Sequence, residues 1–148
     1  MLEAEICAAA PDDFEEVLKL LKQLWPEKQL ERESLLHVYM EALDSPQQKY
    51  IVGKAAQEVV GFISLRIIRN LWAQGNLLYI EELVVDEKYR NMKIGSSLIE
   101  QAIKFAEENR CKGIEVTSAF HRHDAHRFYE KCGFAKKAYH FLCEMPGF

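Results

Sequence analysis

Apolar positions along the chain follow two rhythms. Phe14, Val17, Leu18, Leu21, Leu24 and Trp25 fall three and four apart, which lines them on one face of a helix. Pro11 and Asp12 open that helix, Glu15 follows Asp12 at capping-box spacing, and Pro26 stops the run. A second helix is predicted over residues 31–43, with Leu35, Leu36, Tyr39, Met40 and Leu43 on one side and the turn signal Asp44-Ser45-Pro46 after it. Residues 93–109 turn helical again through Ile94, Leu98, Ala102, Phe105 and Ala106. Ala125, Phe128, Tyr129 and Cys132 mark a fourth helix, with Gly133 suited to its left-handed end. Strand-like blocks fill the gaps: residues 2–9, 50–55, 59–68 after a turn near Gln57, 113–118 and 138–144. Residues 70–76 read as a loop, and 77–85 form a nearly continuous apolar run of strand length that predicts a central strand. The order β-α-α-β-β-β-α-β-α-β defines an α/β domain with a mixed sheet.

Composition narrows the class. The 148 residues suit a single domain over 1–148, and 49% apolar with 28% charged residues is the make-up of a folded globular chain. A net charge of −4 speaks against a sequence-blind nucleic-acid binder. No apolar run approaches a membrane span of about 20 residues. The acidic start lacks a signal peptide's basic head, so a cytoplasmic location is expected. Cys7, Cys111, Cys132 and Cys143 lie far apart without a C-x-x-C pair, giving neither a redox motif nor a zinc ribbon.

Residues 83–98 read as a buried strand, a polar turn, and a helix start carrying Gly95, Ser96 and Ser97. Free amides at a helix start, with the dipole behind them, attract anions. Arg90 adds charge-assisted bonds suited to phosphate. The segment lacks the leading glycine and the G-K-[ST] ending of a Walker A loop. By itself it fits a plain structural turn equally well.

The string Val84-Val85-Asp86, Tyr89-Arg90, Ile94-Gly95 and Leu98 resembles the pyrophosphate-binding segment of the GNAT superfamily of N-acetyltransferases, R-x-x-G-x-G or R-x-x-G-x-A. Ala125, Phe128-Tyr129 and Gly133-Phe134 are similar to its A-x-x-F-Y-x-x-x-G-F segment. Glu82-Leu83-Val84-Val85 together with residues 122–129 resembles the aminoalkylphosphonate branch, and aminoglycoside 6′-N-acetyltransferases have a related ending. The resemblance implies a mixed, mostly antiparallel sheet with a V-shaped split between two parallel central strands, helices on both faces, and acetyl-CoA in the split. Backbone at Leu83, Val84 and Val85 would pair with the pantetheine arm. Amides of Arg90, Asn91, Met92, Lys93, Ile94, Gly95 and Ser96 would hold the diphosphate. Lys93 departs from the family's usual glycine. A left-handed backbone there costs a lysine; otherwise the loop binds with ordinary φ, and Lys93 can itself meet phosphate.

Under that resemblance Tyr129 lies at the thioester as the acid for the departing thiolate; without it, Tyr129 is a ring packed beside Phe128. Glu81 and Glu82 are two carboxylates in an apolar strand, where burial raises a carboxyl toward a useful base. Neighbouring strand residues face opposite ways unless a bulge intervenes. Glu82, inside the matched string, is the predicted base for the incoming amine, against a paired structural carboxylate or deprotonation through water. His121, Arg122, His123, Asp124 and His126 form a polar cluster with a helix cap at Asp124 or its neighbour. Divalent metal is associated with the phosphonate branch, but no metal site is assigned. Arg66, Arg69 and Trp72 are either an acceptor-pocket rim or solvated edge residues.

The predicted activity is acetyl-CoA-dependent acetylation of a small molecule's primary amine, by direct transfer in a ternary complex, with a homodimer expected. Aminoalkylphosphonate, polyamine, aminoglycoside and protein N-terminus all stay open as acceptors. A non-catalytic acyl-CoA-binding regulatory module, which Lys93 favours, and a protein N-acetyltransferase are the alternatives.

Overall fold

A computed structural model describes residues 3–148. The chain divides into two compact units, Met1–Val116 and Thr117–Phe148. In the first unit the order is β1 (Glu5–Ala8), α1 (Phe14–Leu24) after a 3-10 turn, α2 (Arg32–Asp44), β2 (Gln48–Ala55), β3 (Glu58–Asn70), β4 (Gly75–Val85), α3 (Ile94–Glu108) and β5 (Ile114–Val116). The strands form one sheet in the order β1-β2-β3-β4-β5, antiparallel until the last pair, where β4 and β5 run parallel. Leu2, placed in the first strand by its sequence, lies outside the described residues.

Alternation along the strands sorts side chains to two faces. Tyr50, Val52, Phe62 and Val84 share one core cluster with Phe14, Val17 and Leu21 of α1 and Tyr39 of α2. Rings stitch that layer together: Phe14 to Tyr39 at 5.3 Å, Tyr39 to Tyr50 at 5.6 Å and Tyr50 to Phe62 at 5.3 Å between centroids. The first and last are edge-to-face, a geometry worth about 0.5–1.5 kcal/mol per pair beyond burial. On the other face α3 lies against Gly53 and Gly61, its Ile94 and Leu98 methyls close above the two glycines. Helices therefore cover both faces.

The start of α1 departs in detail from the sequence reading. Asp13, not Asp12 with Glu15, closes the first turn by accepting from the Ala10 amide at 2.8 Å. Asp13 is only 5% exposed, and Lys54 neutralises it at 3.0 Å. A one-residue offset puts this carboxylate over β2, where a lysine waits; Glu15 instead bonds Arg32 in solvent.

The second unit holds α4 (His123–Lys131) and the segment after it. Gly133 ends the helix with φ +96° and donates to the Glu130 carbonyl, while the Phe134 amide reaches back to the Tyr129 carbonyl at 3.0 Å. Asp124 does not cap α4: no side chain does, and Asp124 pairs with Arg127 within the helix. Residues 138–144 form no strand either. Tyr139, Phe141 and Leu142 are strongly exposed, so the apolar alternation there has no buried face to pay for its ordering.

Candidate active site

β5 ends at Val116, opposite Ile80 of β4. Beyond that point residues 81–85 of β4 keep β3 on one side and have no strand on the other among the described residues. Their outward N–H and C=O groups, apart from the Val85 carbonyl that Arg90 engages, form a row open to an extended ligand. The parallel pair thus parts part-way along β4, β5 being the last strand of the sheet.

A β-bulge sits at the parting. Ser64 faces Glu82, yet its neighbour Leu65 faces Ile80, so Glu81 is an extra residue in the ladder. Glu82 shares the face of Ser64, Tyr50 and Val84, whereas Ile80 shares the face of Leu65. Glu81, next to both, turns toward the Ser64 face as well, where it meets Arg66 at 3.2 Å. The bulge puts both carboxylates on one wall, resolving the choice between them that strict alternation would impose.

The two differ sharply in setting. Glu81 is offset by the Arg66 guanidinium. Glu82 is held by Ser64, whose Oγ donates to Glu82 Oε1 at 2.5 Å and accepts from the Glu82 amide at 2.8 Å. Burial pushes the Glu82 carboxyl above its ordinary range and the charge of Glu81 adds to this, while the Ser64 bond and Arg66 oppose it. Tyr50 beside it is pushed up to about 12, by burial first and then by the charges of Glu82 and Glu81. Glu82 also lines a cavity of about 100 Å³ beneath α1 and α2, walled by Phe14, Trp25, Leu35, Tyr39 and Tyr50. The arrangement sets a carboxylate with a raised pKa among aromatic side chains.

After β4 the chain makes a tight turn. Asp86 accepts from the Lys88 amide at 2.9 Å, and Gln23 of α1 ties the turn down through Asp86 at 3.2 Å and the Glu87 amide at 3.1 Å. Arg90 sends Nε to the Val85 carbonyl at 3.3 Å. Asn91 and Lys93 both take left-handed backbone, φ +64° and +63°. Lys93 therefore adopts the conformation that a glycine usually supplies, at a strain of about 1–2 kcal/mol. Ile94 then starts α3 with no side-chain cap, so its first amides remain available to an anion. The Lys93 carbonyl is engaged by Ser97 through both its amide and its hydroxyl.

In the second unit Tyr129 is buried between Phe128 and Phe134, each ring 5.6 Å away. Burial raises its phenol above the ordinary value, Arg122 opposing. His123 and His126 stack edge to face, and His126 Nε2 lies 2.9 Å from the Ala119 carbonyl. Among the described residues no three His, Cys, Asp or Glu side chains gather into a metal-holding set. Trp72 is exposed at the tip of the β3–β4 hairpin, and Arg69 bonds Asn76 within it. All four cysteines are free thiols; burial raises Cys111 and Cys132.

Ser64 and the ring wall of Tyr39 and Tyr50 were missed by sequence reasoning. A lone hydroxyl in the apolar run 59–68 was the available signal for Ser64.

A parallel pair that parts at a bulged, carboxylate-bearing strand, followed by an uncapped helix start, defines an acyltransferase of GNAT architecture. The acetyltransferase (GNAT) family profile matches residues 14–134, and the chain belongs to that family. It is 30% identical over 137 residues to an aminoalkylphosphonate N-acetyltransferase of Salmonella typhimurium, covering 93% of this chain and 88% of that one. A solved transcriptional regulator from Bacillus halodurans is 29% identical, with a TM-score of 0.84 over 96% of this chain and 98% of its own. An aminoglycoside N-acetyltransferase solved with CoA shares the fold at 15% identity, with a TM-score of 0.86 over 99% and 97% of the two chains. The chain is accordingly an acetyl-transferring enzyme. Among the described residues no helix is long and apolar enough to cross a membrane.

Proposed function

We propose that this enzyme transfers acetyl from acetyl-CoA directly to a primary amine of a small molecule, in a ternary complex. The observation that carries the reading is Glu82, half-buried and raised toward a base, on the stretch of β4 that β5 leaves unpaired. The residues present fit acetyl-CoA: an open backbone edge at Leu83, Val84 and Val85 for its amide-bearing arm, and the turn from Arg90 through Asn91, Met92, Lys93, Ile94, Gly95 and Ser96 for its diphosphate. When bound, acetyl-CoA supplies the activated acyl group. Lys93 adds positive charge at the phosphates, and the α3 dipole supports it.

Glu82 takes the proton from the ammonium, directly or through water, because only the free amine has a lone pair to attack with. A backbone amide of the open β4 edge polarises the thioester carbonyl. Tyr129 keeps its proton at neutral pH, since its pKa is raised, and gives it to the leaving thiolate. Direct transfer is preferred because burial raises the half-buried Cys111 and Cys132 thiols, which leaves less thiolate for nucleophilic attack.

The acceptor is an aminoalkylphosphonate-like or aminoglycoside-like amine, the first supported by the Salmonella relative. The proposal places one acetyltransferase domain over residues 1–148 in a reducing cytoplasm, where four free cysteines stay reduced, and pairs it as a homodimer. The test is thiol release from acetyl-CoA across aminoalkylphosphonate, polyamine, aminoglycoside and peptide N-terminal amines, with and without chelator. Release with a small amine is expected. Heat of acetyl-CoA binding with no thiol release from any amine would instead support an acyl-CoA-binding regulatory module, a reading favoured by the likeness to the Bacillus halodurans regulator.

A further inference from the structure

Ser64 is fully buried in the middle of β3, directly across from Glu82. Its hydroxyl makes two bonds, both to that one residue: it accepts from the Glu82 amide at 2.8 Å and donates to Glu82 Oε1 at 2.5 Å. The first bond explains how the bulge is tolerated. An extra residue in a ladder breaks the regular exchange of N–H and C=O, and a buried amide left over is costly. Ser64 Oγ supplies the missing acceptor. The second bond occupies Oε1 and leaves Oε2 without a hydrogen bond among the described residues.

We propose that Ser64 is a positioning residue for acetyl transfer: its single hydroxyl clips the backbone and the carboxylate of Glu82 together, holds the bulge that turns both glutamates to one wall, and presents one free oxygen, Oε2, to the amine. This rests on the reading of Glu82 as base. The groups around the carboxylate are Glu81 on β4, Arg66 on β3 and Tyr50 on β2. From α1 the cavity wall brings Phe14, Val17, Leu21 and Trp25, and from α2 Leu35, Val38 and Tyr39. Tyr39 is the one titratable group among those wall residues, and its hydroxyl is committed to the Ala10 carbonyl at 2.6 Å. Ser64 is thus the uncharged hydrogen-bond donor that favours the ionised carboxylate, and its loss moves proton release to higher pH.

The test is a series at one position, Ser64→Cys and Ser64→Ala, read in two ways. The Glu82 carboxyl is followed by ¹³C NMR titration, its signal assigned by loss in Glu82→Gln, and amine acetylation is followed as kcat/KM against pH. In Ser64→Ala the carboxyl midpoint and the acidic limb of the rate profile both move up by about one pH unit. Ser64→Cys, nearly the same shape with a weaker donor, moves them part of the way, and acetyl-CoA affinity holds in both variants. A midpoint in Ser64→Ala within about 0.2 unit of wild type overturns the inference. So does a rate loss equal at all pH values, which marks a structural role only. If Glu82→Gln acetylates amines at the wild-type rate, the base assignment itself is wrong; if Glu82→Gln is inactive while the Ser64 series stays flat, only the positioning role is lost.

Discussion

Gly61 on β3 is where packing meets the proposed diphosphate cradle. A Cβ there would stand 2.9 Å from Ile94 Cγ2 and 3.1 Å from Leu98 Cδ1, against an ordinary carbon contact of about 3.5–4.0 Å. Neither neighbour can swing into solvent, since Ile94 is 4% exposed and Leu98 not at all. Gly61→Ala must therefore lift the N-terminal half of α3 by about half an ångström or more, or force two side chains off their rotamers. Overpacking of this kind costs about 1–3 kcal/mol, and the stiffer unfolded chain returns about 0.4–1 kcal/mol. A net loss of about 1.5 kcal/mol at about 2–4 °C per kcal/mol predicts a Tm lower by roughly 3–6 °C. Ile94 is also the first residue of α3, so the amides proposed to hold the diphosphate move with it, and CoA affinity should fall several-fold by calorimetry. Gly53→Ala is the internal comparison: its Cβ would meet Ile6 at 3.2 Å and Ile94 at 3.3 Å, a milder crowding. Its melting temperature should drop by less than half as much. A Gly61→Ala protein that melts with wild type, or a Gly53→Ala protein that melts lower than Gly61→Ala, would refute the reasoning.

Further outcomes are expected at three residues. Tyr129→Phe should lower kcat by about 10²-fold or more while sparing acetyl-CoA affinity; an unchanged kcat at saturating substrates removes the acid role. Glu82→Gln should cost a similar factor in kcat/KM for the amine. In wild type that parameter should fall as pH drops through a midpoint above the usual carboxylate range, because the raised carboxyl is protonated and useless as a base below it; a midpoint at an ordinary glutamate value contradicts the burial argument. At Lys93, glycine relieves the left-handed strain but loosens the unfolded chain, so Lys93→Gly should leave Tm within about 2 °C of wild type. Lys93→Val, β-branched in the same conformation, should destabilise by more than 1 kcal/mol, or about 2–4 °C; equal melting of the two variants shows the strain to be negligible.

Much of the fold was legible because its signals are local. The helical spacing of Phe14, Val17, Leu18 and Leu21, and the nearly continuous apolar run before Asp86, each pick out an element without knowledge of its neighbours. The features that fill the site are not local. The bulge at Glu81 has no glycine or proline to announce it, and its existence depends on the register of β3 against β4. The left-handed turn at Lys93 contradicts that residue's own preference and is imposed by the loop around it. Residues 138–144 show the converse: strand-like alternation is not a strand when no face of it is covered. Ser64 was visible as an oddity, yet only the opposing strand gives it a purpose.

The extra residue in β4 also acts as a change of parity. Before it, odd-numbered side chains look toward α1 and α2; after it, even-numbered ones do. Removing Glu81 would therefore do more than delete a charge. It would bring the two halves of the strand into one phase and force either the half beside β5 or the half beside Asp86 to present its hydrophobic side chains to the wrong layer. A one-residue deletion there should be far more damaging than any substitution at the same place, and a homologue with an uninterrupted ladder at this point could set no two adjacent acids on the pocket wall.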